Sequence, residues 1–251
     1  MIDYQSWSNM YDKTRGCDIM IVTKIIEYIS LLKNGKILDF GCGTGNYLEA
    51  LSNLTDNQFY GIDASSDMIE IARKKKIKAH FNISTHKSLP FPDEFFDFIY
   101  IIDVLQHIPG HELKQLICEI SRVLKPGGKI LILTVSHQQL ANRTWNSYFP
   151  SAAKIQITRF PSIDLIHELG KSQNLLLDYT LSLEEVRYEE IPELFINHVC
   201  NKAYSIFHLL DEVEYQKGRE QIILDYQKKK NWQYNHGETI MVLHKKINKN
   251  S

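Results

Sequence analysis

The chain has 251 residues, 43% of them hydrophobic and 24% charged, with a formal net charge of −1. That length suits one large domain or a domain carrying an insertion, and the near-zero charge supplies no general attraction to phosphate backbones. No apolar run approaches the roughly 18 residues of a membrane span, and Met1-Ile2-Asp3-Tyr4-Gln5 lacks the basic start and apolar core of a secretory signal.

In chain order, residues 19–32 place Ile21, Ile25, Ile29 and Leu32 at helical spacing, and Asn34-Gly35 closes the helix. Lys36-Ile37-Leu38-Asp39-Phe40 reads as a short strand. It runs into Gly41-Cys42-Gly43-Thr44-Gly45, a turn in which glycine permits positive φ and close approach of a ligand to main-chain N–H groups. A helix follows over 46–53. The next apolar run, Gln58 to Ile62, ends on Asp63, an acid about 20 residues past a glycine turn and so placed to accept from a ribose diol. The dinucleotide pattern Gly-x-Gly-x-x-Gly is not met, because Asn46 stands at its third glycine.

Residues 66–76 read as a helix with Ser66 as its cap and Met68, Ile69 and Ala72 inward. A third strand is expected over 77–83, a rigid loop at Leu89-Pro90-Phe91-Pro92, and a strand buried on both faces over 95–102. An amphipathic helix over 111–124 ends at Lys125-Pro126-Gly127-Gly128, and 129–135 form the next strand. This alternation implies a doubly wound α/β sheet with right-handed crossovers. Further on, 162–173 read as a helix, 175–183 as a strand, 191–204 and 211–229 as charged amphipathic helices, and 238–246 as a final strand. The simplest account is a helical insertion ahead of the last sheet strand. The four cysteines, Cys17, Cys42, Cys118 and Cys200, are far apart and read as reduced thiols of a cytoplasmic protein, with no zinc pattern.

The ordered set of motifs resembles the class I S-adenosylmethionine-dependent methyltransferases, especially those acting on small molecules. Residues 37–45 look like the first motif of that family, 61–69 like the second, 89–97 like the approach to the fourth strand and 123–128 like the turn before the fifth. The resemblance is strong over residues 10–136 and loose beyond. It implies a seven-stranded Rossmann-like sheet with a helical cap before the last strand. The corresponding division is 1–34 as an N-terminal helical segment over the cofactor, 35–187 with 237–247 as the core, and 188–236 as the cap.

The resemblance also implies roles. Main-chain groups of Gly41 and Gly43 would lie against the methionine part of S-adenosylmethionine, with Asp39 and Asp103 near that end. Asp63 would bind both ribose hydroxyls. Ala64 and Met68 would flank the adenine. Relatives often carry an Asp four residues before the Leu-Pro-Phe loop; here Thr85 stands there, followed by His86. Tyr11 would cover the sulfonium and Arg15 would bind the cofactor carboxylate. His107, just past the fourth strand, is the candidate general base, since an imidazole titrates near neutral pH; pocket lining is its other reading. Trp145, Tyr148 and Arg159 would wall the acceptor pocket.

The expected reaction moves a methyl to an oxygen, nitrogen or carbon nucleophile of a small-molecule acceptor and leaves S-adenosylhomocysteine, with no metal. The Asn/Asp-Pro-Pro-aromatic signature of many nucleic-acid and protein amide N-methyltransferases is absent, the matching residues being Ile102-Asp103-Val104-Leu105. A nucleic-acid acceptor and a membrane partner are not expected, and oligomeric state is open. The competing readings are a tRNA-modifying methyltransferase and a non-catalytic S-adenosylmethionine-binding partner protein.

Overall fold

A computed structural model describes residues 17–183, 191–229 and 237–247. Seven strands form one sheet in the order β3-β2-β1-β4-β5-β7-β6. They are β1 (Lys36–Phe40), β2 (Gln58–Asp63), β3 (Ala79–Ile83), β4 (Phe96–Ile102), β5 (Leu124–Thr134), β6 (Leu175–Leu183) and β7 (Glu238–Lys245). Strands β1 to β5 pair in parallel. β7 enters antiparallel between β5 and β6. The parallel strands carry helices on both faces, which is why β1 and β4 are apolar almost throughout.

Strand periodicity sorts side chains between those faces. Ile37, Phe98, Tyr100, Leu131 and Val242 meet helices α1 (Ile19–Ile29) and α2 (Asn46–Ser52) on one side. Leu38, Ile99, Ile101, Ile130 and Met241 meet α4 (Leu113–Val123) and α7 (Ile163–Ser172) on the other. Asp39, between Leu38 and Phe40, therefore lies on the same face as Tyr100. Helix α3 (Ser66–Lys74) returns the chain from β2 to β3 and buries Met68, Ile69 and Ala72.

Two local readings change. Ser65, not Ser66, caps α3: its backbone is extended (φ −89°, ψ 116°) and its hydroxyl accepts from the Met68 N–H, whereas Ser66 is already helical. The turn at 125–128 belongs to β5 as an interruption of its ladder. Phe96 pairs with Leu124 and Phe98 with Lys129, so the Pro-Gly-Gly residues bulge out between the two pairs.

Past β5, helices α5 (His137–Ala141) and α6 (Ala152–Arg159) bracket a 3₁₀ turn over Thr144–Ser147. Trp145, Phe149 and Ala152 from this stretch share an apolar cluster with Phe195 and Val199 of α8 (Glu193–Cys200). Phe207, and Tyr215 and Ile222 of α9 (Glu212–Gln227), complete it. The helical layer over the sheet's carboxyl edge is thus built from two segments far apart in sequence. Among the described residues no helix is long and apolar enough to cross a membrane.

Candidate functional site

The sheet reverses its strand order between β1 and β4. Open α/β sheets bind ligands in the crevice at such a point. β1 ends at the glycine turn, where Gly41, Gly43 and Gly45 have φ of 77°, 52° and 80°. At Gly41 an added Cβ would sit 2.3 Å from Val104 Cγ2, so both the dihedral and the approach of the β4 loop require glycine. β4 ends at Ile102, and Asp103 follows at φ 54°.

Asp63 closes the glycine turn from the next strand. Its Oδ2 accepts from the Gly43 N–H at 2.9 Å and its Oδ1 from the Ser65 N–H at 2.8 Å. The Ala64 N–H also acts on this carboxylate, whose roughly four lone-pair sites still leave room for a further donor. Burial pushes the Asp63 pKa up, and these N–H groups pull it back.

Asp39 is 4% exposed and has no ion-pair partner among the described residues. Burial holds its carboxyl well above the usual range; the nearby Tyr100 hydroxyl lowers it and the Asp63 charge raises it again. The Tyr100 Oη itself is enclosed without a partner of hydrogen-bonding geometry. A buried carboxylate and a buried hydroxyl, both undersupplied, fit an incoming ammonium group.

Two cavities open along this edge. The larger, about 520 Å³, runs past Gly43, Asp63, Ala64, Met68, Thr85 and His86. The smaller, about 280 Å³, runs past Asp39, Thr44 and Tyr47 and under the helical layer at Trp145, Gln156 and His198. Both are lined by Gly41, Ile102, Asp103, Gln106 and Ser205, so they meet at the switch point. The loop at the far end of the larger cavity is pinned from α4. Arg122 donates to the Leu89 and Phe91 carbonyls at 3.0 and 2.8 Å and pairs with Glu119, which in turn accepts from the Leu89 N–H. His86 Nε2 lies 2.6 Å from Glu112 Oε2.

Of the residues singled out from sequence, Asp39 lines the smaller cavity and Gly41 and Asp103 line both. Gly43, Asp63, Ala64, Met68, Thr85, His86 and His107 line the larger. His107 is exposed and lies on the larger cavity only. Trp145 walls the smaller cavity, but Tyr148 and Arg159 line neither. Tyr148 donates instead to Asp225 Oδ2 at 2.9 Å within the helical layer, and Arg159 meets Ser205 Oγ at 3.4 Å. Tyr11 and Arg15 fall outside the described residues. Sequence reading missed Gln106, Arg143, Gln156, His198, Tyr204 and Glu238, all lining the smaller cavity. Gln106 alone carried a signal, since it sits four residues past the end of the fourth strand. Among the described residues no group of three His, Cys, Asp or Glu side chains could hold a metal ion.

Residues 38–132 match a family described as a methyltransferase domain. An uncharacterised protein of Methanocaldococcus jannaschii is 30% identical over 172 residues, 66% of this chain and 80% of that protein. The demethylmenaquinone methyltransferase of Tropheryma whipplei is 36% identical over 105 residues, 41% of this chain. The chain spans only 42% of that enzyme's length. A solved structure from Anabaena variabilis, described as a methyltransferase of an antibiotic biosynthesis pathway, superposes with a TM-score of 0.73 at 21% identity. It covers 91% of this chain and 98% of the other, a likeness of fold.

Proposed function

Since the chain belongs to the class I S-adenosylmethionine-dependent methyltransferases, we propose that it methylates an oxygen, nitrogen or carbon nucleophile of a small-molecule acceptor and releases S-adenosylhomocysteine. The observation that carries this reading is the meeting of two cavities at Gly41 and Asp103, one suited to an adenosyl group and the other roofed by helices. S-adenosylmethionine, when bound, supplies a methyl on a sulfonium, already electrophilic. The chain's work is therefore to bind, align and exclude water, and alignment of reactants is worth up to about 7–11 kcal/mol in ideal cases.

Asp63 would accept from the ribose diol with the lone-pair capacity that the Gly43, Ala64 and Ser65 N–H groups leave open. Asp39, with Tyr100 beside it, would take the cofactor's ammonium. Ala64 and Met68 would cover the adenine faces, with Thr85 and His86 at its edge. Asp103 lines both cavities, at the junction where acceptor and methyl would meet. His107, on the larger cavity, is the candidate base. Under this reading residues 1–34 would cover the cofactor and residues 188–236 would cap it. A small acceptor is supported by the roofed cavity and by the demethylmenaquinone methyltransferase relative. Cys17, Cys42, Cys118 and Cys200 all carry free thiols, which suits the cytoplasm.

Calorimetry tests the reading. S-adenosylmethionine and S-adenosylhomocysteine should both bind and NAD should not. Absence of binding by the first two would remove the enzymatic assignment.

A further inference from the structure

We infer that His86 sets the nucleobase specificity of the cofactor site: Glu112 holds its imidazole with the proton on Nε2, and Nδ1 accepts a hydrogen bond from the 6-amino group of adenine. The inference deepens the methyl-transfer reading and rests on it.

The order of the strands puts His86 beside the base. Moving outward from the switch point, β1 ends at the Gly41 turn, β2 ends at Asp63 and β3 ends at Ile83. These carboxyl ends stand side by side, one strand spacing apart. A nucleoside whose ribose lies at Asp63 and whose sulfur lies toward Gly41 therefore has its base over the end of β3. The chain leaving β3 is Ser84-Thr85-His86, and all three residues line the larger cavity. Their loop is fixed from both sides. The Ser84 N–H donates to the Asp63 carbonyl at 3.0 Å, and the Ser84 hydroxyl donates to the Ser88 carbonyl at 3.0 Å. From α4, Gln115 Nε2 donates to the Lys87 carbonyl at 2.9 Å. The loop that carries His86 is thus held in place without a ligand, which reduces the ordering cost of binding.

The partner of the imidazole assigns its proton. His86 Nε2 lies 2.6 Å from Glu112 Oε2, and the other oxygen of Glu112 lies 2.7 Å from Lys87 Nζ. Lys87 first, and then His86, pull the Glu112 pKa down. Glu112 is therefore ionised at neutral pH and can only accept, so the nitrogen facing it carries the N–H. In the neutral ring Nδ1 is then an acceptor. Nδ1 has no hydrogen-bond partner among the described residues and is not one of the enclosed polar atoms. Adenine supplies a matching donor in its 6-amino group. Hypoxanthine carries an oxygen there, whose lone pairs would oppose that of Nδ1. The neighbouring Thr85 cannot make this distinction, because a hydroxyl both donates and accepts. His86 is in this account the residue that determines specificity, and Glu112 a positioning residue.

Calorimetry on the full chain tests the inference by comparing S-adenosylhomocysteine with S-inosylhomocysteine, which has a 6-oxo group in place of the 6-amino group. The adenosyl ligand should bind at least about tenfold tighter, the scale of one hydrogen bond. His86→Phe should lower that ratio about tenfold by weakening the adenosyl ligand, while S-inosylhomocysteine binds within about twofold of wild type or tighter. Glu112→Leu should lower the ratio as well, with His86 still present. In nitrogen-15 NMR of the histidine-labelled chain bound to S-adenosylhomocysteine, His86 Nδ1 should appear unprotonated, and Glu112→Leu should shift it toward a mixture of tautomers. Equal affinity of the wild-type chain for the two ligands, an unchanged ratio in either variant, or a protonated Nδ1 in the wild-type complex would overturn the inference and leave methyl transfer standing. Failure of S-adenosylhomocysteine to bind the wild-type chain would overturn both.

Discussion

Replacing Asp39 by Asn should move stability and cofactor affinity in opposite directions. Asp39 is 4% exposed, shares the inner face of the sheet with Tyr100, and meets no cation among the described residues. The ligand-free protein therefore carries a buried carboxylate whose pKa lies well above 3.8, mainly through burial. For an acid with a raised folded-state pKa, the contribution to stability is most favourable below the unfolded value. It is lost as pH rises through the folded one. At neutral pH the group is thus a liability, and an amide of the same shape removes it. Relief of an uncompensated buried group is on the order of 1–3 kcal/mol. At about 2–4 °C per kcal/mol for a chain of this size, the ligand-free Asp39→Asn variant should melt about 2–12 °C higher. Its loss of a charge-assisted bond to an ammonium, about 1.5–3 kcal/mol, should weaken S-adenosylhomocysteine binding about 10- to 150-fold. Differential scanning calorimetry with and without S-adenosylhomocysteine measures both effects. A variant that melts lower without ligand, or that binds the ligand as tightly as wild type, would refute the electrostatic argument.

Asp63→Ala should weaken S-adenosylhomocysteine binding by about 1–3 kcal/mol by calorimetry, and it also strips the Gly43 N–H of its acceptor. Unchanged affinity in a folded variant would take Asp63 out of the site. Because the Asp39 and Asp63 pKa values are both raised, cofactor affinity should fall as pH drops through those elevated values, before ordinary carboxylates titrate. A pH-independent affinity between neutral and mildly acidic buffer would contradict this. Gly41→Ala should cost about 1–3 kcal/mol in denaturant unfolding, from its φ of 77° and from the Cβ clash with Val104. For His107→Ala, unaltered turnover would rule out an essential base role for that imidazole.

The parts of the site that sequence alone determined are local ones. Asp39 is two residues before Gly41 on one strand, and Asp63 ends the next strand, so spacing along the chain translates directly into position at the sheet's edge. Alternation in β1 and β4, helical spacing in α1 and the glycine turn likewise depend on neighbours a few residues away. Local spacing ran out sooner than expected even here: backbone dihedrals, not residue type, decided that Ser65 rather than Ser66 caps α3. Tertiary structure alone decided the lining of the smaller cavity. Gln106, Gln156, His198 and Glu238 lie tens of residues apart and follow no shared period. They converge because Trp145 and Phe149 after β5 bury against Phe195 and Phe207 after β6, and because β7 pairs antiparallel with β5. Long-range burial of apolar surface sets those contacts, and it is not written in any one segment. The same packing turned Tyr148 toward Asp225 and away from the cavity where its residue type alone would have put it.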